Sequence, residues 1–97
     1  MIVRTRCPAK VNLFLSVGPP DTSGYHPIRT IFQAVGLYDE LTVSDEGEPG
    51  FVCDSPEVPP ENTVTKALRL MKEHVEVPPL RIELLKRIPS QAGLGGG

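Results

Sequence analysis

One stretch constrains this chain more than any other. In "LRIELLKRIPSQAGLGGG", residues 80–97, an alternating apolar segment runs into a proline and then into four glycines within five positions. Glycine lets a backbone take positive φ or lie close against a ligand, and it orders nothing by itself. A strand, a glycine-rich turn and a helix N-terminus form the recurring geometry for holding phosphates, because free N–H groups and the helix dipole converge on the anion. The segment therefore predicts a strand feeding an anion-binding turn, from which a helix would open.

Three forms of such a turn can be set against the residues. GxxxxGK[ST] is excluded, since no lysine follows a glycine at that spacing. GxGxxG could begin at Gly93-Leu94-Gly95, but its third glycine falls past Gly97. Its strand should also be a buried apolar run, and "LRIELLKRI" is amphipathic. The third form, Pro-x-x-x-Gly-Leu-Gly-Gly-Gly, is followed in full from Pro89 to Gly97. Taken alone, the stretch fits a flexible glycine-rich tail equally well.

Upstream, "VNLFLSV" alternates, which puts Val11, Leu13, Leu15 and Val17 on one face and Asn12, Phe14 and Ser16 on the other. By the same period Lys10 lies on the Asn12 side, so a cation and an amide share the face turned from the core. "GPPDTSGYHP" is dense in turn-forming residues and reads as a loop. "IRTIFQAVGLYDELTVSD" reads as extended, one long bent strand or two short ones, and "GFVCD" as a short partner strand. "ENTVTKALRLMKEHV" predicts a helix: Val64, Ala67, Leu68, Met71 and Val75 recur at helical spacing, Asn62 suits the N-cap, and Lys72 and His74 suit the C-terminal dipole. Pro78 and Pro79 close it. In the last strand Leu80, Ile82 and Leu84 point inward, with Arg81 and Glu83 outward. Half-polar strands suit a sheet with one covered face, so the fold class is α+β.

Ninety-seven residues hold one domain and one modest core. The net charge is −2, from 12 acidic and 10 scattered basic residues, which argues against a nucleic-acid or anionic membrane partner. Aromatics at 5%, without Trp, argue against a stacking platform for single strands. No stretch approaches a membrane span, and "MIVRTRCPAK" runs straight into strand-like alternation without a leader, which points to the cytoplasm. Cys7 and Cys53 lie far apart without a CxxC, and read as two reduced, half-buried thiols; a disulfide is the lesser alternative. Six of the eleven prolines fall in three pairs at segment edges, Pro19-Pro20, Pro59-Pro60 and Pro78-Pro79, and act as punctuation.

Four segments in order carry a resemblance. "PAKVNLFL" from Pro8, "GYHPIRTIFQ" from Gly24, "EN" before the helix, and "KRIPSQAGLGGG" after the next strand together resemble the N-terminal domain of the GHMP small-molecule kinases, over nearly the whole chain. The triple glycine and "GYH" are similar to the branch that phosphorylates the 2-hydroxyl of a cytidine-diphosphate-linked methylerythritol in the non-mevalonate isoprenoid pathway. The resemblance implies an α+β domain with ribosomal-protein-like topology, partial over residues 1–97 and cut inside its phosphate loop. It implies ATP as donor, with Mg2+, and a small-molecule acceptor. It also places the loop Ser, the catalytic Asp and the C-terminal domain beyond Gly97, so that residues 1–97 alone would transfer phosphate at a negligible rate. Two departures stand out: Ser23 where an acidic residue often precedes Gly24, and Pro27, which should hold His26 extended.

The resemblance also implies roles. Lys10 sits beside the catalytic Asp and the acceptor hydroxyl, where a fixed ammonium keeps the Asp ionised and offsets developing charge. Asn12 supports the acceptor, Tyr25 stacks on the cytosine and His26 hydrogen-bonds its polar edge. Phe32 lines the same pocket, or is simply a core residue. Asn62 is either a helix cap or a neighbour of the adenine, and Lys86 either a strand-end surface charge or a wall of the adenine pocket. Pro89, Ser90, Gln91 and Ala92, with Gly93, Leu94, Gly95, Gly96 and Gly97, form the nest for the ATP phosphates. His74 is surface. Two alternatives stay open: a GHMP kinase for mevalonate, homoserine or a sugar, which "GYH" argues against, and a non-catalytic α+β module binding RNA or protein, whose RNA form the acidic balance disfavours.

Overall fold

The computed structural model describes residues 1–96; Gly97, the last residue expected in the phosphate nest, lies outside the described residues. The elements run β1 (Ile2–Val17), β2 (Ile28–Ser44), β3 (Gly50–Cys53), α1 (Thr63–His74) and β4 (Arg81–Leu85). They build one sheet in the order β1-β2-β4-β3. β1 and β2 form an antiparallel hairpin, β2 and β4 pair antiparallel, and β3 and β4 pair parallel with α1 as the crossover that parallel neighbours require. The α+β expectation and the element order agree with this arrangement.

The segment expected as one long strand or two short ones is a single strand, β2, with an irregularity where Gly36 and Leu37 have no partner on β1. Its partner β1 lies at the sheet edge, where Pro8, lacking an N–H, is tolerated. A second irregularity corrects the face assignment. Asn12 pairs with Phe32 but Phe14 with Ile31, leaving Leu13 as an extra residue on β1. An inserted residue inverts a period of two. Lys10, Asn12 and Phe32 therefore share a face, while Phe14 and Ser16 cross to the face of Val11.

α1 begins as its sequence demands. The Asn62 side chain accepts from the amides of Val64 (2.9 Å) and Thr65 (3.1 Å), and Thr65 Oγ1 accepts from the Asn62 amide (2.8 Å), a capping box closed by threonine. The apolar stripe is less covered than its spacing suggested: Val64 and Leu68 are half-buried, while Ala67, Met71 and Val75 are exposed. The buried apolar core consists of Ala9, Ile82 and Ile88. Leu80 and Leu84 are half-buried beside Ile82, as the alternation of β4 required. Cys7 and Cys53 are half-buried and unbridged. Among the described residues, no helix is long and apolar enough to cross a membrane.

Candidate active site

Beyond β4 the chain turns sharply. Gln91 (φ 59°), Gly93 (φ 75°) and Gly95 (φ 78°) all lie in the left-handed region, which glycine enters freely and glutamine does not. Among the described residues, none of the amides of Gly93, Leu94, Gly95 and Gly96 donates to a protein acceptor. Successive unclaimed N–H groups in such a turn make a concavity for an anion. No helix opens within the described residues; that expectation falls beyond Gly96.

Lys10 holds this turn against the free edge of β1. Its amide donates to the Leu94 carbonyl (3.0 Å) and its ammonium to the Gly93 carbonyl (3.2 Å). The approach is close enough that a Cβ on Gly95 would sit 3.1 Å from Lys10 Cγ. The ammonium also lies 5.4 Å from the centre of the Phe32 ring, a cation–π distance. Phe32 is 61% exposed, so the alternative of a core phenylalanine is wrong; it forms a floor under Lys10. Asn12 is exposed directly opposite it.

The hairpin loop is organised by a residue the sequence reading passed over. Asp21 Oδ1 accepts from the Ser23 amide (2.9 Å), the Ser23 hydroxyl and the Tyr25 amide (3.2 Å). The Ser23 hydroxyl is the leading cause holding the Asp21 carboxyl below the ordinary value. Ser23, one of the two departures, is thus partnered to an acid two residues earlier in the same loop. His26 Nδ1 lies 2.9 Å from the Gly18 carbonyl. A carbonyl only accepts, so Nδ1 carries the proton and, in the neutral ring, Nε2 is left as an acceptor. Tyr25, 77% exposed, stands free above this loop.

A cavity of about 360 Å³ brings together much of the expected nucleotide set: Asn62, Lys86, Ser90, Gln91, Gly95 and Gly96 all line it. Its volume is in the range of small-molecule sites. Asn62 caps α1, as one reading of it expected, and also lines this cavity. Lys86 is not a surface charge. Its ammonium lies 2.7 Å from Asp39 Oδ2 and 2.6 Å from the Ile88 carbonyl. A hollow of about 750 Å³ at the end of α1 is lined by one continuous segment, 72–78, and gathers no such set.

Asp39 also lines the cavity and was missed. It is 8% exposed, and its Oδ1 accepts from the amides of Arg87 (2.6 Å) and Ile88 (2.8 Å). Burial pushes its pKa up, but the Ile88, Lys86 and Arg87 hydrogen bonds and the Lys86 charge outweigh that and hold the carboxyl below the ordinary value. One signal could have found it: Asp39 shares the parity of Leu41 and Val43, and an inward carboxylate needs partners. Among the described residues, no cluster of three or more His, Cys, Asp or Glu side chains could hold a metal.

Comparison with known proteins bears on what this arrangement serves. No protein-family model matches the chain. It is 42% identical over 98 residues to the 4-diphosphocytidyl-2-C-methyl-D-erythritol kinase of Protochlamydia amoebophila, covering 98% of this chain and 34% of that protein. It is 45% identical to the enzyme of the same name from Parabacteroides distasonis, covering 92% and 34%. A crystal structure of 4-(cytidine 5'-diphospho)-2C-methyl-D-erythritol kinase superposes with a TM-score of 0.74 at 40% identity, covering 97% of this chain and 35% of that one. The chain thus spans about a third of the length of these relatives. Over nearly its whole length, in sequence and in fold, it is homologous to the 4-diphosphocytidyl-2-C-methyl-D-erythritol kinases.

Proposed function

We propose that residues 1–97 are part of the N-terminal domain of a cytoplasmic GHMP kinase that transfers the γ-phosphoryl group of ATP to the 2-hydroxyl of 4-diphosphocytidyl-2-C-methyl-D-erythritol, a step toward isoprenoid precursors. The observation that carries the reading is the seat of Lys10 on the glycine turn, with its ammonium on the Gly93 carbonyl and its stem against Gly95. In this reading the free amides of Gly93 to Gly96 take the phosphates, and Asn62 and Lys86 border the adenine. Lys10, at the mouth of the turn, meets the acceptor oxygen as it approaches the phosphorus. Positioning and charge stabilisation are most of what phosphoryl transfer asks of a protein. The ammonium is fixed by the Gly93 carbonyl before substrate arrives, so little reorganisation is needed when charge develops.

Recognition of the acceptor falls to the hairpin. Tyr25 offers a ring to stack on the cytosine, Asn12 supports the methylerythritol end above Phe32, and the free Nε2 of His26 suits the exocyclic amine, a donor. Among the described residues no group of three or more His, Cys, Asp or Glu side chains could hold Mg2+ by itself, and a kinase Mg2+ would be held largely through the ATP phosphates. Turnover is proposed only for a protein that adds the family's loop Ser, catalytic Asp and C-terminal domain to this chain. The test is isothermal titration of the chain with ATP and with cytidine diphosphate separately. Tyr25→Ala should weaken cytidine diphosphate by about tenfold, the value of one base stack, and leave ATP within about twofold. Equal loss of both ligands, or of neither, contradicts the reading.

A further inference from the structure

We infer that Asp39 is the positioning residue of the nucleotide site: its carboxylate fixes the base of the glycine turn and thereby sets where the anion-binding amides point. The inference rests on the kinase reading above and deepens it. Three bonds converge on this carboxylate, and all come from the three residues that lead into the turn. Oδ1 takes the Arg87 and Ile88 amides, and Oδ2 takes the Lys86 ammonium. Lys86 then donates onward to the Ile88 carbonyl, so Ile88 is gripped at both its N–H and its C=O. Ile88 in turn is the surface on which the turn closes, since a Cβ on Gly96 would meet its Cγ2 at 2.5 Å.

The arrangement has two anchors on one hairpin. Lys10, on β1, holds the middle of the turn through Gly93 and Leu94, while Asp39, on β2, holds its start. β1 and β2 are joined through a long antiparallel register, so the two anchors are fixed relative to each other. A turn held at one end only could swing about the other. The four open amides are useful to an anion only if they converge without prior rearrangement. Asp39 has no need to touch the nucleotide to do this. Asn is nearly isosteric and keeps one oxygen for the two amides, but it sets an NH2 group against the Lys86 ammonium, so one side of the grip is lost.

The experiment compares the chain with its Asp39→Asn and Ile82→Ala variants, the second a truncation of the core that touches neither anchor. Circular dichroism checks folding, isothermal titration reads ATP and cytidine diphosphate affinities, and amide hydrogen exchange without ligand reads Lys10, whose N–H holds the Leu94 carbonyl. The expected result for Asp39→Asn is an ATP affinity reduced by about tenfold with cytidine diphosphate within about twofold. Exchange at the Lys10 amide, which is bonded to the Leu94 carbonyl, should be faster as the turn loosens, while Ile82→Ala lowers thermal stability but keeps ATP affinity within about twofold. The inference is overturned if Asp39→Asn leaves ATP affinity and Lys10 amide exchange unchanged, if both variants lose the two ligands in parallel, or if Asp39→Asn does not fold. A parent chain that binds cytidine diphosphate but no ATP overturns the nucleotide reading itself, and this inference with it.

Discussion

At the scale of single residues, Gly96 is set apart from the other glycines by what surrounds it. An added methyl would lie 2.5 Å from Ile88 Cγ2 and 3.1 Å from the Ile88 carbonyl oxygen. Ile88 is 2% exposed and β-branched, so it has nowhere to retreat. Gly96→Ala is expected to cost about 1–3 kcal/mol in urea unfolding, as overpacking does, and to weaken ATP binding in step. Asp39 makes a separate prediction about acid. Its folded pKa is lowered, so its contribution to stability is complete above the ordinary value of 3.8 and is lost as pH falls below it. Asp21 and Asp45 are lowered too and add to the same slope. Unfolding free energy measured against pH should therefore fall below about pH 4, and less steeply in Asp39→Asn. Lys10 was legible in the sequence because its motif and the glycine turn could be read together. Asp39 was not, because "LYDELTV" names no partner; the Arg87 and Ile88 amides that explain it come from a different strand end.

Secondary-structure elements were read well where a local rule sufficed and poorly where a count had to survive a bulge. The cap of α1 follows from Asn62 and its own neighbours, and it forms as expected. Asn62→Ala should cost about 1 kcal/mol of thermal or urea stability, the usual cost of a lost cap. Asn62→Ser should keep the cap and most of that stability. Any fall in ATP affinity in the serine variant then reports the cavity role of Asn62 alone; an unchanged affinity would confine the residue to capping. The β1 alternation failed beyond Asn12 because period-two counting assumes every residue has a partner, and Leu13 has none. The stripe of α1 failed differently. Its spacing was right, but spacing says which side is apolar and not whether anything in the chain covers it.

At the scale of the molecule, the radius of gyration is 16.2 Å, with extents of 47 × 33 × 23 Å. A compact chain of this length would be near ~12.5 Å. The excess comes from the β1–β2 hairpin, whose far half carries Leu13, Phe14, Ile31 and Phe32 more than half exposed. Small-angle X-ray scattering should return a radius close to 16.2 Å, and a value near the compact one would mean the hairpin folds back. The modest core expected from length is smaller still, three buried apolar side chains among the described residues, because the longest elements lie where the sheet is only two strands wide. The central claim is that the glycine turn beside Lys10 is a phosphate site, and backbone NMR during an ATP titration tests it most directly. The amide resonances of Gly93 to Gly96 should move first and furthest, together with Lys10, while Tyr25 and His26 stay still until a cytidine nucleotide is added. Shifts confined to residues 72–78, or an unmoved glycine turn at saturating ATP, would contradict it.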